Sequence, residues 1–207
     1  MSGELVFYTN PMSRGRIVRW MLEEIGEPYR TEVIEYGEPM KEPDFLAINP
    51  MGKVPAIRHA GKAVTECAAI CAYLADAFPA AGLAPPPAQR NQYYRWLFYF
   101  AGPVEAAVMN RSLDLQVPAE RERMIGYGNF ATVMDVIETA VSSGPYIAGD
   151  SFTAADVYCG SHIGWGLQFQ SIDARPAFAD YWARLAERPA YIRAAQIDDA
   201  LGEATKA

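Results

Sequence analysis

Residues 49–70 read Asn49-Pro50-Met51-Gly52-Lys53-Val54-Pro55-Ala56-Ile57-Arg58-His59-Ala60-Gly61-Lys62-Ala63-Val64-Thr65-Glu66-Cys67-Ala68-Ala69-Ile70. Two short strands, Val54 to Arg58 and Ala63 to Thr65, flank His59-Ala60-Gly61-Lys62, and that pattern predicts a hairpin. Pro55 stands at the head of the first strand, where a cis peptide bond can turn the chain. A helix then runs from Glu66 to Ala77. The unit is β-β-α.

Upstream, Leu5-Val6-Phe7-Tyr8 is an apolar run expected to form a buried strand. Ile17, Val18, Met21, Leu22 and Ile25 line one face of a helix over 13–25, and Gly26 stands where it would stop. Tyr29 to Tyr36 reads as a second strand, which makes a β-α-β unit and a parallel pair. Downstream, residues 81–89 contain Pro85-Pro86-Pro87, an extended linker that neither a helix nor a central strand tolerates. After Arg90 the signals are helical only. Tyr93, Trp96, Leu97, Phe100, Val104, Ala107 and Val108 share one helix face, and Met124, Gly128, Ala131, Met134, Ile137 and Val141 share another. Further helices are expected over 154–168, 176–187 and 190–200, with Pro176 and Pro189 near the starts of the last two. The fold class is α/β plus all-α: a domain over 1–80, a linker over 81–89 and a helical domain over 90–207.

Composition narrows the function. The chain has 207 residues, 51% of them apolar, and a net charge of −7. That acidity disfavours nucleic acid and acidic membranes as partners, because both need a basic surface. Three cysteines and two histidines make neither a disulfide framework nor a zinc pattern, so no metal is expected. No apolar run is long enough to span a bilayer, and the first residues lack a basic stretch ahead of an apolar one. A cytoplasmic location is the expectation.

Four local patterns carry chemistry or its support. The first is the turn into Val54-Pro55. The second is Thr65-Glu66-Cys67 at a strand-to-helix junction, where unpaired amides favour a carboxylate. The third is Asn10-Pro11-Met12-Ser13-Arg14-Gly15-Arg16, whose Ser13 suits a helix cap. The fourth is Thr153-Ala154-Ala155-Asp156, a capping-box pattern whose loss would cost about 1–2 kcal/mol. Together they resemble the soluble, cytosolic-type glutathione transferases, in the bacterial type with a serine in the sulfur-contact loop. The resemblance spans essentially the whole chain.

The resemblance implies a thioredoxin-like N-terminal domain that binds glutathione and an all-helical C-terminal domain. It implies a cis peptide at Val54-Pro55, with the Val54 backbone pairing to the cysteinyl part of glutathione. Glu66 and the residue after it would take the γ-glutamyl end, and Lys53 the glycyl carboxylate. That following residue is usually serine, and here it is Cys67. A thiol is a weaker donor, so the change is expected to cost up to about 1 kcal/mol of glutathione affinity. Alternatively Cys67 is itself reactive, since helix N-termini lower thiol pKa values. Ser13 is the candidate for the glutathione sulfur, with Tyr8, Thr9 and Asn10 as rivals. The cap and sulfur-contact readings of Ser13 both stand.

Tyr99, Phe100, Pro103 and Trp165 are the candidate wall of a co-substrate pocket between the domains. Asp156 is structural. The expected partners are glutathione, as substrate rather than cofactor, a small hydrophobic electrophile, and a second copy of the chain in a homodimer. The leading reaction is conjugation in detoxification. A glutathione-dependent peroxidase, dehalogenase or isomerase, and a non-catalytic binding module, are the alternatives.

Overall fold

The computed structural model describes residues 3–204. The first half begins with β1 (Leu5–Thr9), α1 (Gly15–Ile25) and β2 (Arg30–Val33). The short α2 (Pro43–Leu46), β3 (Ala56–His59), β4 (Lys62–Thr65) and α3 (Cys67–Ala77) follow. The strands form one sheet in the order β2-β1-β3-β4, with β1 parallel to β2 and antiparallel to β3, and β3 antiparallel to β4. This is a thioredoxin-like arrangement.

The local chemistry explains most boundaries. The expected face of α1 is buried, and Gly26 ends the helix with φ +70° while donating its N–H to the Leu22 carbonyl. The hairpin between β3 and β4 has positive φ at both central residues, Ala60 and Gly61, which suits the twist of the strands it joins. β2 is shorter than the run from Tyr29 to Tyr36. Among the described residues it is an edge strand paired with β1 alone, and pairing stops at Thr9↔Val33, where β1 itself ends. β3 likewise begins at Ala56, opposite Tyr8, and not at Val54.

A second compact unit, Ala84–Ala186, is mostly helical. It contains α4 (Asn91–Tyr99), α5 (Glu105–Ser112), α6 (Phe130–Ser142), α7 (Ala154–Gln168) and α8 (Pro176–Ala186). The stripe from Tyr93 to Val108 belongs to two helices joined by a π-type turn, Phe100–Val104. Pro103 lies in that turn; its ring excludes a regular hydrogen bond and forces the wider geometry. The second stripe needs a larger correction. Met124 is exposed in a short 3₁₀ segment and Gly128 has φ +68°, so neither belongs to the α-helix. The helix starts at Phe130, where Asn129 caps it by accepting the Thr132 N–H at 2.9 Å.

The final helix, α9 (Pro189–Ala204), packs on α1 and groups with the sheet unit, whereas the sequence boundaries put it in the helical domain. The reason is a seam of specific contacts. Trp20 meets Tyr191 edge to face, and the bidentate Arg188–Glu24 pair lies beside it. Arg19, buried at the centre, donates to Asp198 at 3.1 Å and to Thr31 at 2.7 Å, and stacks over Phe7. Burial pushes the Asp198 carboxyl above its ordinary range despite the Arg19 charge, and pushes the Tyr29 phenol, which accepts from Arg19, up to about 12. Such patterns are invisible to one-face periodicity, because the contacts are set by the partner helix.

In the helical unit the Thr153 capping box is present, and Asp156 does more than close it. Its buried carboxylate accepts from the Ile147 and Thr153 N–H groups at 2.8 and 2.9 Å, and from the Thr153 and Tyr181 hydroxyls at 3.1 and 2.8 Å. Removing it strands several buried donors, each costing about 1–3 kcal/mol. Asp156→Ala is therefore expected to lower the unfolding free energy by about 3 kcal/mol or more in a denaturant titration. A loss near 1 kcal/mol would reduce its role to that of an ordinary cap.

Candidate active site

The strand register decides which loops meet. Tyr8, Ala56 and Thr65 lie side by side across β1, β3 and β4. The chain leaving β1, the chain entering β3 and the chain leaving β4 therefore share one end of the sheet. These are the loop at 10–16, the Val54-Pro55 turn and the Glu66-Cys67 junction.

The first loop is organised by Asn10. Its buried carboxamide donates to the Ile34 carbonyl at 3.1 Å and accepts the Met12 N–H at 3.0 Å. The Asn10 carbonyl accepts from both the N–H and the hydroxyl of Ser13, at 3.0 and 2.7 Å. Ser13 Oγ in turn accepts the Gly15 N–H at 2.9 Å. The hydroxyl thus ties the loop to the first residue of α1 from the position before the N-cap residue, Arg14, which has no side-chain cap bond of its own. Ser13 is half-buried, and its one hydroxyl proton rotates freely about the C–O bond. Tyr8 is half-buried and packs its ring on Phe45, and Thr9 is buried with its hydroxyl turned to the Asn10 carbonyl.

Asn49 repeats the device. It accepts the Met51 N–H at 3.1 Å and donates to the Lys53 carbonyl at 2.7 Å. Both turns are Asn-Pro-Met. The peptide bond from Val54 to Pro55 is cis, and Val54 precedes the paired part of β3. Lys53 is exposed, and among the described residues its ammonium has no polar partner. Lys41, which the sequence reading missed, donates to the Met51 and Gly52 carbonyls at 3.1 and 3.2 Å.

At the third segment, α3 begins without any side-chain cap, so its first amides are open to an anion. Glu66 is exposed and sits at φ +68°, ψ 120°, a conformation that costs a non-glycine residue about 1–3 kcal/mol. Cys67 is half-buried, and its thiol donates to the Arg14 carbonyl at 3.7 Å. That contact ties the start of α3 to the loop of Ser13. Cys71, one turn on, is fully buried; desolvation, aided by nearby Cys67, pushes its thiol well above the ordinary range.

The remaining candidates belong to the helical unit. Phe100 is fully buried, edge-on to Tyr99 and His162, so it backs a wall and presents no surface of its own. Tyr99, Pro103 and Trp165 are half-buried. Burial raises the Tyr99 phenol, opposed by Arg95. A cavity of about 540 Å³ in this unit is lined by Arg95, Trp96, Thr139 and Tyr146 among others, and none of the four candidates reaches it.

A family model, that of the glutathione S-transferase N-terminal domain, matches residues 12–77. Glutathione S-transferase 3 of Zea mays is 30% identical over 167 residues, covering 73% of this chain and 74% of the relative. The chain belongs to the glutathione S-transferase family. Solved structures agree with that assignment. A glutathione transferase from Methylococcus capsulatus superposes with a TM-score of 0.78 at 26% identity, over 95% of this chain and 99% of that one. A glutathione transferase homolog from Sulfitobacter, solved with bound glutathione, gives 0.72 at 28% identity, over 92% and 96%.

One further residue shapes the Ser13 loop and was not singled out from the sequence. A Cβ on Gly15 would lie 1.9 Å from Thr9 Oγ1 and 3.0 Å from Ser13 Oγ. Its signal is a glycine at the head of a helix that has no turn to make. Gly15→Ala is expected to cost about 1–3 kcal/mol in a denaturant titration and to displace Ser13. An unchanged midpoint would show that the loop has slack. Glu66→Gly relieves the strained backbone but loosens the unfolded chain, so its stability should stay within about 1 kcal/mol of wild type. A larger loss would mean that the Glu66 side chain carries weight in the fold.

Proposed function

We propose that this protein activates glutathione as a thiolate and conjugates it to a hydrophobic electrophile. The observation that carries the reading is the meeting, at one end of the sheet, of a cis Val54-Pro55 turn, an uncapped helix start at Glu66-Cys67 and the Ser13 loop. The Val54 backbone would pair with the cysteinyl part of glutathione, as a peptide adds to a sheet edge. The open amides of α3 and Glu66 would take the γ-glutamyl end, and the unpaired ammonium of Lys53 the glycyl carboxylate.

Free thiols of pKa about 8.5 are only about 3% ionised at pH 7. Lowering the pKa by two units stabilises the thiolate by about 2.7 kcal/mol and brings ionisation to about three quarters. Ser13 supplies part of this by turning its proton from the Asn10 carbonyl to the sulfur. The turn is cheap, because that carbonyl keeps the Ser13 N–H. The positive end of α1 adds to the field. The thiol proton leaves to solvent; the thiolate then attacks the electrophilic carbon, and either a leaving group departs with its bonding pair or, at an activated double bond, the carbanion formed takes a proton from solvent. Tyr99, Pro103 and Trp165 are the proposed contacts for the electrophile, with Phe100 behind them. The serine-loop type, a cytoplasmic location and a homodimer complete the reading.

A second reading, glutathione binding without turnover, draws on one observation: the Ser13 hydroxyl already has a donor and an acceptor partner. An ultraviolet titration of the glutathione complex separates the two. A bound thiol with pKa near 6.5 is expected; a value near that of free glutathione would favour the binding module. Ser13→Ala should lower kcat far more than glutathione affinity, and equal losses would count against a sulfur contact. Cys67→Ser should tighten glutathione binding by up to about fivefold through a stronger donor, measured by calorimetry. Weaker binding would reverse the role given to that thiol.

A further inference from the structure

The guanidinium of Arg16 bridges two segments of the sheet unit. Its Nε–H donates to the Pro11 carbonyl at 2.7 Å, and Nη2 donates to Oδ1 of Asp199 in α9 at 2.6 Å. Pro11 lies inside the turn that presents Ser13. Nearby, a Cβ on Gly202 of α9 would meet the Pro11 ring at 3.9 Å, so the end of α9 abuts the same turn.

The rest of the α1–α9 seam does not need this bridge. Arg19–Asp198, Arg188–Glu24 and Arg193–Glu23 are separate pairs, and Trp20 packs on Tyr191. The Arg16 and Asp199 side chains are 30% and 63% exposed, and exposed pairs of this kind add little to stability. What the bridge does is fix a carbonyl that belongs to no strand or helix. Asn10 holds the turn at its start, Gly15 allows its close approach to Thr9 of β1, and Arg16 holds its middle.

We propose that Arg16 is a positioning residue for the sulfur-contact loop and that Asp199 is its anchor on α9. The pair holds the Asn10–Ser13 turn at the distance from which Ser13 Oγ addresses a bound thiol. The proposal rests on the glutathione reading above. Hydrogen-bond stabilisation of a thiolate depends steeply on distance, so a small shift of the turn reduces it without removing any glutathione contact.

The test uses Arg16→Met, Arg16→Lys and Asp199→Asn in the full chain. Amide hydrogen exchange without ligand comes first. Arg16→Met should exchange at residues 12–15 about tenfold faster than wild type, with α6 unchanged. Unchanged exchange in the loop overturns the proposal whatever the protein does with glutathione. Should wild type fail to bind glutathione, the functional reading falls and this exchange measurement alone decides whether Arg16 positions the loop. With glutathione bound, Arg16→Met and Asp199→Asn should raise the bound-thiol pKa by about one unit and lower kcat about tenfold, with KM for glutathione within about threefold. Arg16→Lys should recover part of the loss, because an ammonium can donate to the Pro11 carbonyl. A rise in KM that exceeds the fall in kcat would make Arg16 a direct glutathione ligand and overturn the proposal. So would full additivity of Arg16→Met with Ser13→Ala, since a residue acting through Ser13 has little left to lose.

Discussion

Where β1 ends and β3 begins, the sheet hands the chain to loops whose peptide groups have no ladder partner, and the buried carboxamides of Asn10 and Asn49 supply the missing bonds. Each accepts the N–H two residues on and donates to a carbonyl that would otherwise be orphaned. A proline follows each, with no N–H to satisfy. The two turns stand at the same end of the sheet because β1 and β3 are antiparallel. The loop at 10–16 and the Val54-Pro55 turn both hang from these two brackets. Ser13 bonds the Asn10 carbonyl, Cys67 meets the next residue of that loop, and the cis Val54-Pro55 turn follows directly from the Asn49 bracket.

Around these brackets, local stability and local chemistry pull apart. A helix ordinarily gains about 1 kcal/mol from a side-chain cap, yet α3 has none. A residue at positive φ is ordinarily glycine or asparagine, yet position 66 is glutamate. The open start is shared with α1, α4 and α5, so it is the positive φ of Glu66 that sets this junction apart. α7 shows the contrast within the same chain: its capping box is complete and its Asp156 is buried with four donors around it. One helix start is closed to strengthen the fold, and the other is left open.

Much of this was legible in the sequence. The hairpin, the face of α1, the stop at Gly26, the turn at Pro55 and the capping box each rest on chemistry confined to a few neighbouring residues. What was not legible depends on partners distant in sequence. The α9 seam is set by pairs such as Arg19–Asp198, 179 residues apart, and nothing within α9 alone says which unit it joins. Met124 and Gly128 matched a helical period by coincidence, while Asn129, the residue that starts the helix, reads as an ordinary polar residue until its Thr132 partner is known. Gly15 is silent for a related reason: its importance lies in the Thr9 hydroxyl that its missing side chain leaves room for.

The choice between cap and sulfur contact at Ser13 is less of a contradiction than it looks. A hydroxyl has one proton and two lone pairs. The Gly15 N–H uses a lone pair, so it persists whichever way the proton turns, and it orients the oxygen. The Asn10 carbonyl uses the proton, and it already holds the Ser13 N–H as a second donor. The Gly15 bond is thus compatible with a sulfur contact, and the one bond to be exchanged is neutral. A thiolate is the stronger acceptor, since hydrogen bonds to ionised groups are roughly twice as strong as neutral ones. In the proposed reading the exchange would run toward a bound thiolate and back to the backbone without one, and the Gly15 bond would persist in both states. Fold membership alone would not supply that property; it follows from where Asn10, Ser13 and Gly15 stand.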